Sequence, residues 1–163
     1  MQAKSSENWS AVIPGPKGMI RLGIRTVGEK LVKLCFLPKD SALIKPEATF
    51  DKDVVQQLNA YFENPKQKFD IPTETKGTEF QQSVWRSLST IPVGEHRTYL
   101  EVAQILKSAP RAVGNACRAN PVPLIVPCHR VTSINGPGGY AGQTDGQLVE
   151  FKKWLLLNEQ QGS

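Results

Sequence analysis

Apolar and polar residues alternate from Met19 to Thr26, with Ile20, Leu22 and Ile24 on one side. That two-residue period predicts a half-buried strand. Gly28 marks a turn, and the apolar run Leu31 to Leu37 predicts a second strand, so the pair reads as a hairpin. Cys35 falls in the second strand and is expected to be a small buried hydrophobe. From Phe50 to Phe62 the period changes: Val54, Leu58 and Tyr61 recur at helical spacing, and Asp51 or Asp53 places negative charge near the helix start. Residues 63–76 mix Pro, Lys and polar side chains and read as a connector.

Beyond the connector the pattern is helical. Thr78 with Gln81 spells a capping box ahead of Phe80, Val84, Trp85 and Leu88, and Ile91-Pro92 with Gly94 ends that helix. A second box, Thr98 with Glu101, opens a short helix through Leu106 with Tyr99 at its first position. Pro110 suits the first turn of another helix reaching Ala119. Two short helices joined by a brief turn suggest a helix-turn-helix, although an ordinary helical hairpin has the same pattern. Leu124, Ile125 and Val126 form an apolar run expected to be buried, and Pro127 breaks it. A loop from Ser133 to Gly146 holds five glycines, and Gln147 to Glu159 predicts a last helix with Leu148, Phe151, Trp154 and Leu155 inward. The expected fold is α+β: a sheet-and-helix domain over 1–76, connector included, then a mostly helical domain over 77–163.

Composition narrows the class. In 163 residues, 39% hydrophobic and 21% charged side chains are enough for a packed core, so wholesale disorder is excluded. A net charge of +5 is compatible with a polyanionic partner without establishing one. The three cysteines, Cys35, Cys117 and Cys128, have no paired spacing, and no secretory or bilayer-length apolar run occurs. Free thiols in a reducing intracellular setting, and no membrane association, are therefore expected. His96 and His129 are the only histidines and no CxxC or HxxxH exists, so a zinc site is not expected.

Three features fit poorly with structure alone. Arg111 lies in the first turn of a helix, where the macrodipole disfavours a cation, amid the small residues Ala112, Gly114, Ala116 and Ala119. Residues 97–130 carry Arg97, Lys107, Arg111, Arg118 and Arg130 against Glu101. A solvated face beside a tight helix contact explains this as readily as a ligand does. Cys128 directly follows Pro127, in a position suited to a fixed, reactive thiol, yet most cysteines simply pack. Unassisted, only roughly a few per cent of such a thiol is ionised near neutral pH. His129 is the obvious helper, but neighbours in an extended segment point to opposite faces, so a turn or a bridging water is needed. Glu159, an anion at a helix C-terminus, is either a frayed solvated end or the carboxylate that orients a histidine.

The block RAVGNACRANPVPLIVPCHRV, Arg111 to Val131, closely resembles the signature of the O6-alkylguanine-DNA alkyltransferases, and the likeness extends over most of residues 77–160 through GTEFQQSVW, IPVGEHRTYLEVA, Gly139-Tyr-Ala-Gly142 and Trp154 to Glu159. The N-terminal half matches only loosely, as the ribonuclease-H-like domain that precedes the active domain in this family. The resemblance implies that Cys128 irreversibly accepts the alkyl group of O6-alkylguanine, that His129 deprotonates it through a water, and that Glu159 holds the imidazole. It implies that Asn120 braces the turn before the cysteine, that Tyr99 helps rotate the nucleotide out and donates toward N3 of guanine, and that Arg111 fills the gap in the base stack. The helix bearing Ala112, Gly114, Cys117 and Arg118 then enters the minor groove of double-stranded DNA. Val131, Tyr140 and Ala141 are the implied walls of the base pocket, with the Cys128 and Val131 carbonyls accepting from the guanine amine. The same resemblance implies a monomer without a cofactor, working in the cytoplasm, or in the nucleus of a eukaryote. Two departures stand out: the run from Gly142 to Trp154 is several residues longer than usual, and Cys117, read as packing and not as a second acceptor, lies on the groove helix. The rival readings are a lesion sensor that binds alkylated guanine without accepting the group, and a cysteine hydrolase built on Cys128, His129 and Glu159.

Overall fold

The computed structural model describes residues 8–161. Its only sheet of more than two strands, among those residues, is antiparallel in the order β1-β2-β3: β1 (Ala11–Pro14), β2 (Arg21–Val27) and β3 (Lys30–Leu37). The predicted hairpin is β2 and β3, with Gly28 at φ +60° in the turn, where a side chain would be strained. Register places Leu22 opposite Phe36 and Ile24 opposite Leu34, and all four are buried in the main core. Cys35 is buried as expected, in a small cluster with Trp9, Val12 and Leu37 on the other face. Strand β1 has no signature in the alternation, because both of its faces are covered: Ala11 and Ile13 join the main core and Val12 the smaller cluster. The first predicted strand begins at Arg21 rather than Met19.

Helix α1 (Thr49–Glu63) buries Val54, Leu58 and Tyr61. Asp51 is buried in its first turn and accepts a hydrogen bond from Thr26 Oγ1 at 2.6 Å, which ties the helix start to β2. The connector after α1 is strapped to β3: Leu31 N donates to Pro72 O at 2.9 Å and Glu74 N donates to Leu31 O at 3.1 Å.

Four helices follow: α2 (Glu79–Leu88), α3 (Tyr99–Ile105), α4 (Pro110–Arg118) and α5 (Gln147–Gln161). Both predicted capping boxes form, each with its reciprocal pair of hydrogen bonds, and Pro110 takes the first turn of α4. A turn joins α3 to α4, with Lys107 at φ +55° and Ser108 N donating to Ala103 O at 2.8 Å. The strand pair β4 (Arg97–Thr98) and β5 (Val131–Thr132), absent from the sequence reading, is parallel and sets the start of α3 beside the residues that follow the cysteine. One hydrophobic core runs through the molecule, joining Leu34, Phe36 and Leu58 to Val84, Val113, Val131, Phe151 and Leu155. The Phe36 and Phe151 rings meet edge to face at 5.2 Å.

Local expectations need adjustment in the second half. Of the run before Pro127 only Leu124 is fully buried; Ile125 and Val126 are half-buried, because this segment is a tight turn over the core edge and not a strand. Phe80 and Trp154 are also half-buried. Helix α5 extends to Gln161, and its inward stripe contains two charged residues, Lys152 and Glu159. No described helix is long and apolar enough to cross a membrane.

Helix α4 is held by a bond that its own backbone does not make. The Ala116 carbonyl lies in the last turn of α4 and accepts from Trp85 Nε1 at 2.9 Å. Replacing Trp85 with Phe keeps most of the apolar area but strands that carbonyl, so the expected loss is about 1–3 kcal/mol of unfolding free energy in a urea titration.

Candidate active site

The segment before the cysteine is shaped by Asn120. Its side chain donates from Nδ2 to Val126 O at 2.9 Å and accepts at Oδ1 from Val122 N at 3.0 Å, closing residues 121–126 into a loop. Leu124 sits in that loop at φ +75°, a strained value for a residue with a side chain, and its buried side chain keeps it there. Leu34 N donates to Pro121 O at 2.8 Å, which anchors the loop to β3. Pro127 then delivers the chain into a 3₁₀ turn, Cys128–Arg130, instead of an extended strand. The objection that neighbours point to opposite faces therefore does not apply to Cys128 and His129.

Cys128 is 6% exposed and lies in the wall of an open cleft of about 330 Å³. The cleft is bounded on one side by Tyr99 and by Gly114, Cys117 and Arg118 of α3 and α4, and on the other by the glycine loop with Tyr140 and Ala141. Gly138, at φ +77°, is required here: a β-carbon would stand 3.0 Å from the Tyr99 ring. Arg111 is exposed on the outer face of α4 with Ala112 half-buried beside it. Val131 is fully buried behind the cysteine in β5. Cys117 is half-buried and packs against the core as expected, and it also borders the same cleft as Cys128.

Behind the cysteine lies a buried polar cluster. His129 Nε2 is 2.8 Å from Glu159 Oε2. Arg130 donates from Nε to Oε1 at 3.0 Å and from its terminal nitrogen Nη2 to Oε2 at 2.8 Å, and from Nη1 to Ile91 O at 2.7 Å. Tyr61, from α1, donates its hydroxyl to Glu159 Oε2 at 2.6 Å. Glu159 is thus a buried hub and not a frayed end. The tautomer of His129 follows from counting protons. The single Tyr61 hydroxyl hydrogen is used on Glu159, an ionised carboxylate has none to give, and so Nε2 carries the imidazole proton. The lone pair is then on Nδ1, which with the Tyr140 hydroxyl is a buried side-chain polar atom lacking a hydrogen-bond partner among the described residues.

Lys152 completes the surroundings. Its side chain is fully buried, and Nζ donates to Val131 O at 2.6 Å and Gly139 O at 2.9 Å, tying β5 to the glycine loop. The ammonium also lies 5.7 Å from the Tyr99 ring centre and 5.8 Å from that of Tyr140. Burial pulls its pKa down to about 8, against the stabilising pull of the two nearby cysteine sulfurs. Burial pushes the Cys128 thiol up, while the Asn120 amide and the Lys152 charge draw it back toward thiolate. Burial likewise holds His129 below its ordinary value, outweighing the Glu159 carboxylate that favours the charged ring. For Glu159 itself burial is outweighed: the bonds from His129 and Arg130, then Tyr61, keep it ionised to well below the usual carboxylate range.

Sequence reasoning named Cys128, His129, Glu159, Asn120 and Tyr99, and the fold brings these together. It missed Arg130, Lys152 and Tyr61 as site residues. Arg130 reads from the sequence as part of the basic surface, but it points inward to Glu159, and Arg97 is half-buried against Glu95, so the exposed cations of residues 97–130 are Lys107, Arg111 and Arg118. The signal for Lys152 was present: Leu148, Lys152, Leu155 and Glu159 share one helical stripe, where a cation and an anion among apolar residues imply buried partners. Tyr61 had no such signal, because a tyrosine on an apolar stripe is ordinary core. Among the described residues no three His, Cys, Asp or Glu side chains are grouped to hold a metal ion.

A family model described as the DNA binding domain of 6-O-methylguanine DNA methyltransferase matches residues 79–161. Over 142 residues the chain is 39% identical to a probable methylated-DNA–protein-cysteine methyltransferase of Acanthamoeba polyphaga mimivirus, covering 85% of this chain and 88% of that one. The chain belongs to the methylated-DNA–protein-cysteine methyltransferase family. It is also 40% identical to the Methanosarcina acetivorans member over 157 residues, covering 91% of this chain and 96% of that one. The crystal structure of Mycobacterium tuberculosis O6-methylguanine methyltransferase superposes with a TM-score of 0.78 at 34% identity, over 93% of this chain and 92% of that chain. The mixed fold, a small antiparallel sheet with helices, is therefore the family's. The family match takes in every member of the buried cluster except Tyr61, which precedes residue 79.

The lowered pKa of His129 carries a stability prediction. The unfolded ring titrates near about 6.5, and the folded ring below it, so unfolding takes up a proton between the two values. The contribution is complete above that unfolded value and is lost as pH falls toward the folded one, by up to about 1.4 kcal/mol per pH unit. Glu159, also lowered, adds its loss at more acid pH, starting near about 4.3. Urea midpoints measured from pH 7 to pH 5 should decline in the wild type, and more gently in His129→Gln.

Proposed function

We propose that this protein reverses O6-alkylguanine damage, mainly O6-methylguanine, by moving the alkyl group once and irreversibly to Cys128. The observation that carries the reading is a cysteine in the wall of an open cleft whose next residue is a buried histidine held on a carboxylate. Members of the family named for this transfer, and a relative, the M. tuberculosis OGT in complex with DNA, at 35% identity and TM-score 0.77, support it.

The steps follow from the residues. An alkyl carbon on O6 is out of reach inside a duplex, so the nucleotide leaves the stack at a cost of roughly a few kcal/mol. Helices α3 and α4 act as a helix-turn-helix whose small-faced second helix, with Ala112 and Gly114, lies in the minor groove. Arg111 enters the vacated place in the stack, and Arg118 meets the backbone. The base occupies the cleft between Tyr99, Cys117 and the Tyr140–Ala141 loop, with the Cys128 and Val131 carbonyls accepting from its amine. His129, free at Nδ1, takes the thiol proton through a water. Sulfur attacks the alkyl carbon, the carbon–oxygen bond breaks, and guanine leaves with its electron pair while Tyr99 donates toward N3. Because burial favours the thiol, proton removal belongs to the reaction and is not a standing property of the free protein. The thioether is not hydrolysed, so each molecule acts once, as a monomer.

In this reading residues 1–76 are a ribonuclease-H-like framework, supported by the antiparallel sheet and the helix that follows it, and residues 77–163 carry the DNA-binding and transfer chemistry. It works wherever the cell keeps its DNA: the cytoplasm, or the nucleus of a eukaryote.

Mass spectrometry after mixing with an O6-methylguanine duplex should show one methyl per protein on the Cys128 peptide; an unmodified peptide means a sensor, and repeated turnover on an ester or amide means a hydrolase. Cys128→Ala should retain DNA binding and lose all transfer. Arg111→Ala should slow repair in duplex DNA by about 10-fold or more, as loss of roughly 1.4 kcal/mol of stacking replacement requires, and much less in single strands. Equal slowing on both would rule out stack filling.

A further inference from the structure

We infer that Tyr61 is a positioning residue through which α1, outside the half that the family model matches, sets how strongly Glu159 holds His129. The inference rests on the alkyl-transfer reading for its consequence in rate, but not for its geometry. Glu159 Oε2 is shared by three donors: Tyr61 at 2.6 Å, His129 at 2.8 Å and Arg130 at 2.8 Å. All four side chains are almost wholly shielded from water, so each bond draws on the same small reserve of negative charge without solvent to replace it. A phenol 2.6 Å from a carboxylate makes a charge-assisted bond of the strong kind. Whatever density it takes from Oε2 is denied to the imidazole N–H, whose Nε2 lies only 3.4 Å from the same hydroxyl.

The other groups facing His129 are fixed by the fold. Glu159 and Lys152 come from α5, Arg130 and Cys128 from the ring's own turn, and Tyr61 from α1. Arg130 neutralises the carboxylate, and Lys152 adds positive charge, both of which oppose a charged ring. Tyr61 acts in the same direction by occupying the oxygen that would otherwise stabilise imidazolium. The ring is thereby kept neutral, with Nε2 protonated and Nδ1 open, which is the form that takes a proton from sulfur. The phenol is also rigidly placed: its ring packs at 5.1 Å from Phe69 and 5.5 Å from Phe62. A tyrosine needed only to fill that aromatic cluster has no reason to end on the carboxylate.

The test uses the full chain and two changes of opposite sense. Tyr61→Phe removes the donor and keeps the ring; a fluorinated tyrosine at position 61 makes the phenol a stronger donor with almost no change of shape. At neutral pH the His129 Nε2 proton resonance should move downfield in Tyr61→Phe, as its bond to Oε2 strengthens, and upfield with the fluorinated residue. In methyl transfer from an O6-methylguanine duplex, the acid limb of the rate profile should move up by about 0.5–1 unit in Tyr61→Phe. That is a fall of about 3-fold or more in rate on the acid limb. If Tyr61→Phe fails to fold, the fluorinated protein still gives the sign. A resonance that stays put, or moves the same way in both, overturns the inference and leaves Tyr61 as packing. Shifts of the expected sign in a protein that takes no methyl from DNA would instead overturn the alkyl-transfer reading and leave this one standing.

Discussion

The Glu159 carboxylate is the interaction on which the site depends. A buried anion is tolerated only when its charge is matched and its lone pairs are filled, and here Arg130, His129 and Tyr61 do both. The donors come from two distant parts of the chain: Tyr61 from α1, and His129 and Arg130 from the turn after the cysteine, which runs on into the strand pair beside Tyr99. Satisfying one carboxylate therefore fixes the position of α5, the orientation of the imidazole and the docking of α1 together. Removing one partner alone is costly, since the charge that remains is buried and uncompensated.

The same economy appears in front of the cysteine. Asn120 closes the loop that delivers Cys128, and Lys152 ties β5 to the glycine loop through two carbonyls. Both do structural work with groups that also shape the electrostatics of the sulfur. A closed rear and a more open front follow: the Glu159 cluster is buried, while the cleft bounded by Tyr99, α4 and the glycine loop opens to solvent. Of the exposed cations on α4 only Arg118 lines the cleft, and Gly114 leaves its wall there without a side chain.

Much of this was legible in the chain. The hairpin, α1, both capping boxes, Pro110 at the start of α4 and the final helix were readable because each rests on a local rule: a period, a cap or a turn residue. Cys128, His129 and Glu159 could be named because a cysteine after proline, a histidine beside it and an anion at a helix end all sit awkwardly in ordinary structure. Strand β1 was not readable, because both its faces are covered and alternation vanishes. Arg130 was misplaced on the surface because charge alone does not say which way a side chain turns.

By itself the sequence determined the local elements, the family, and which residue types were out of place, since these depend on neighbours within a few positions. Only the tertiary structure decided the partners. That Tyr61 reaches across 98 residues to Glu159, that Arg130 turns inward, and that Lys152 bridges Val131 and Gly139 are long-range facts. They arise because a buried charge takes whatever donors the folded core brings within reach, and no spacing along the chain records that choice.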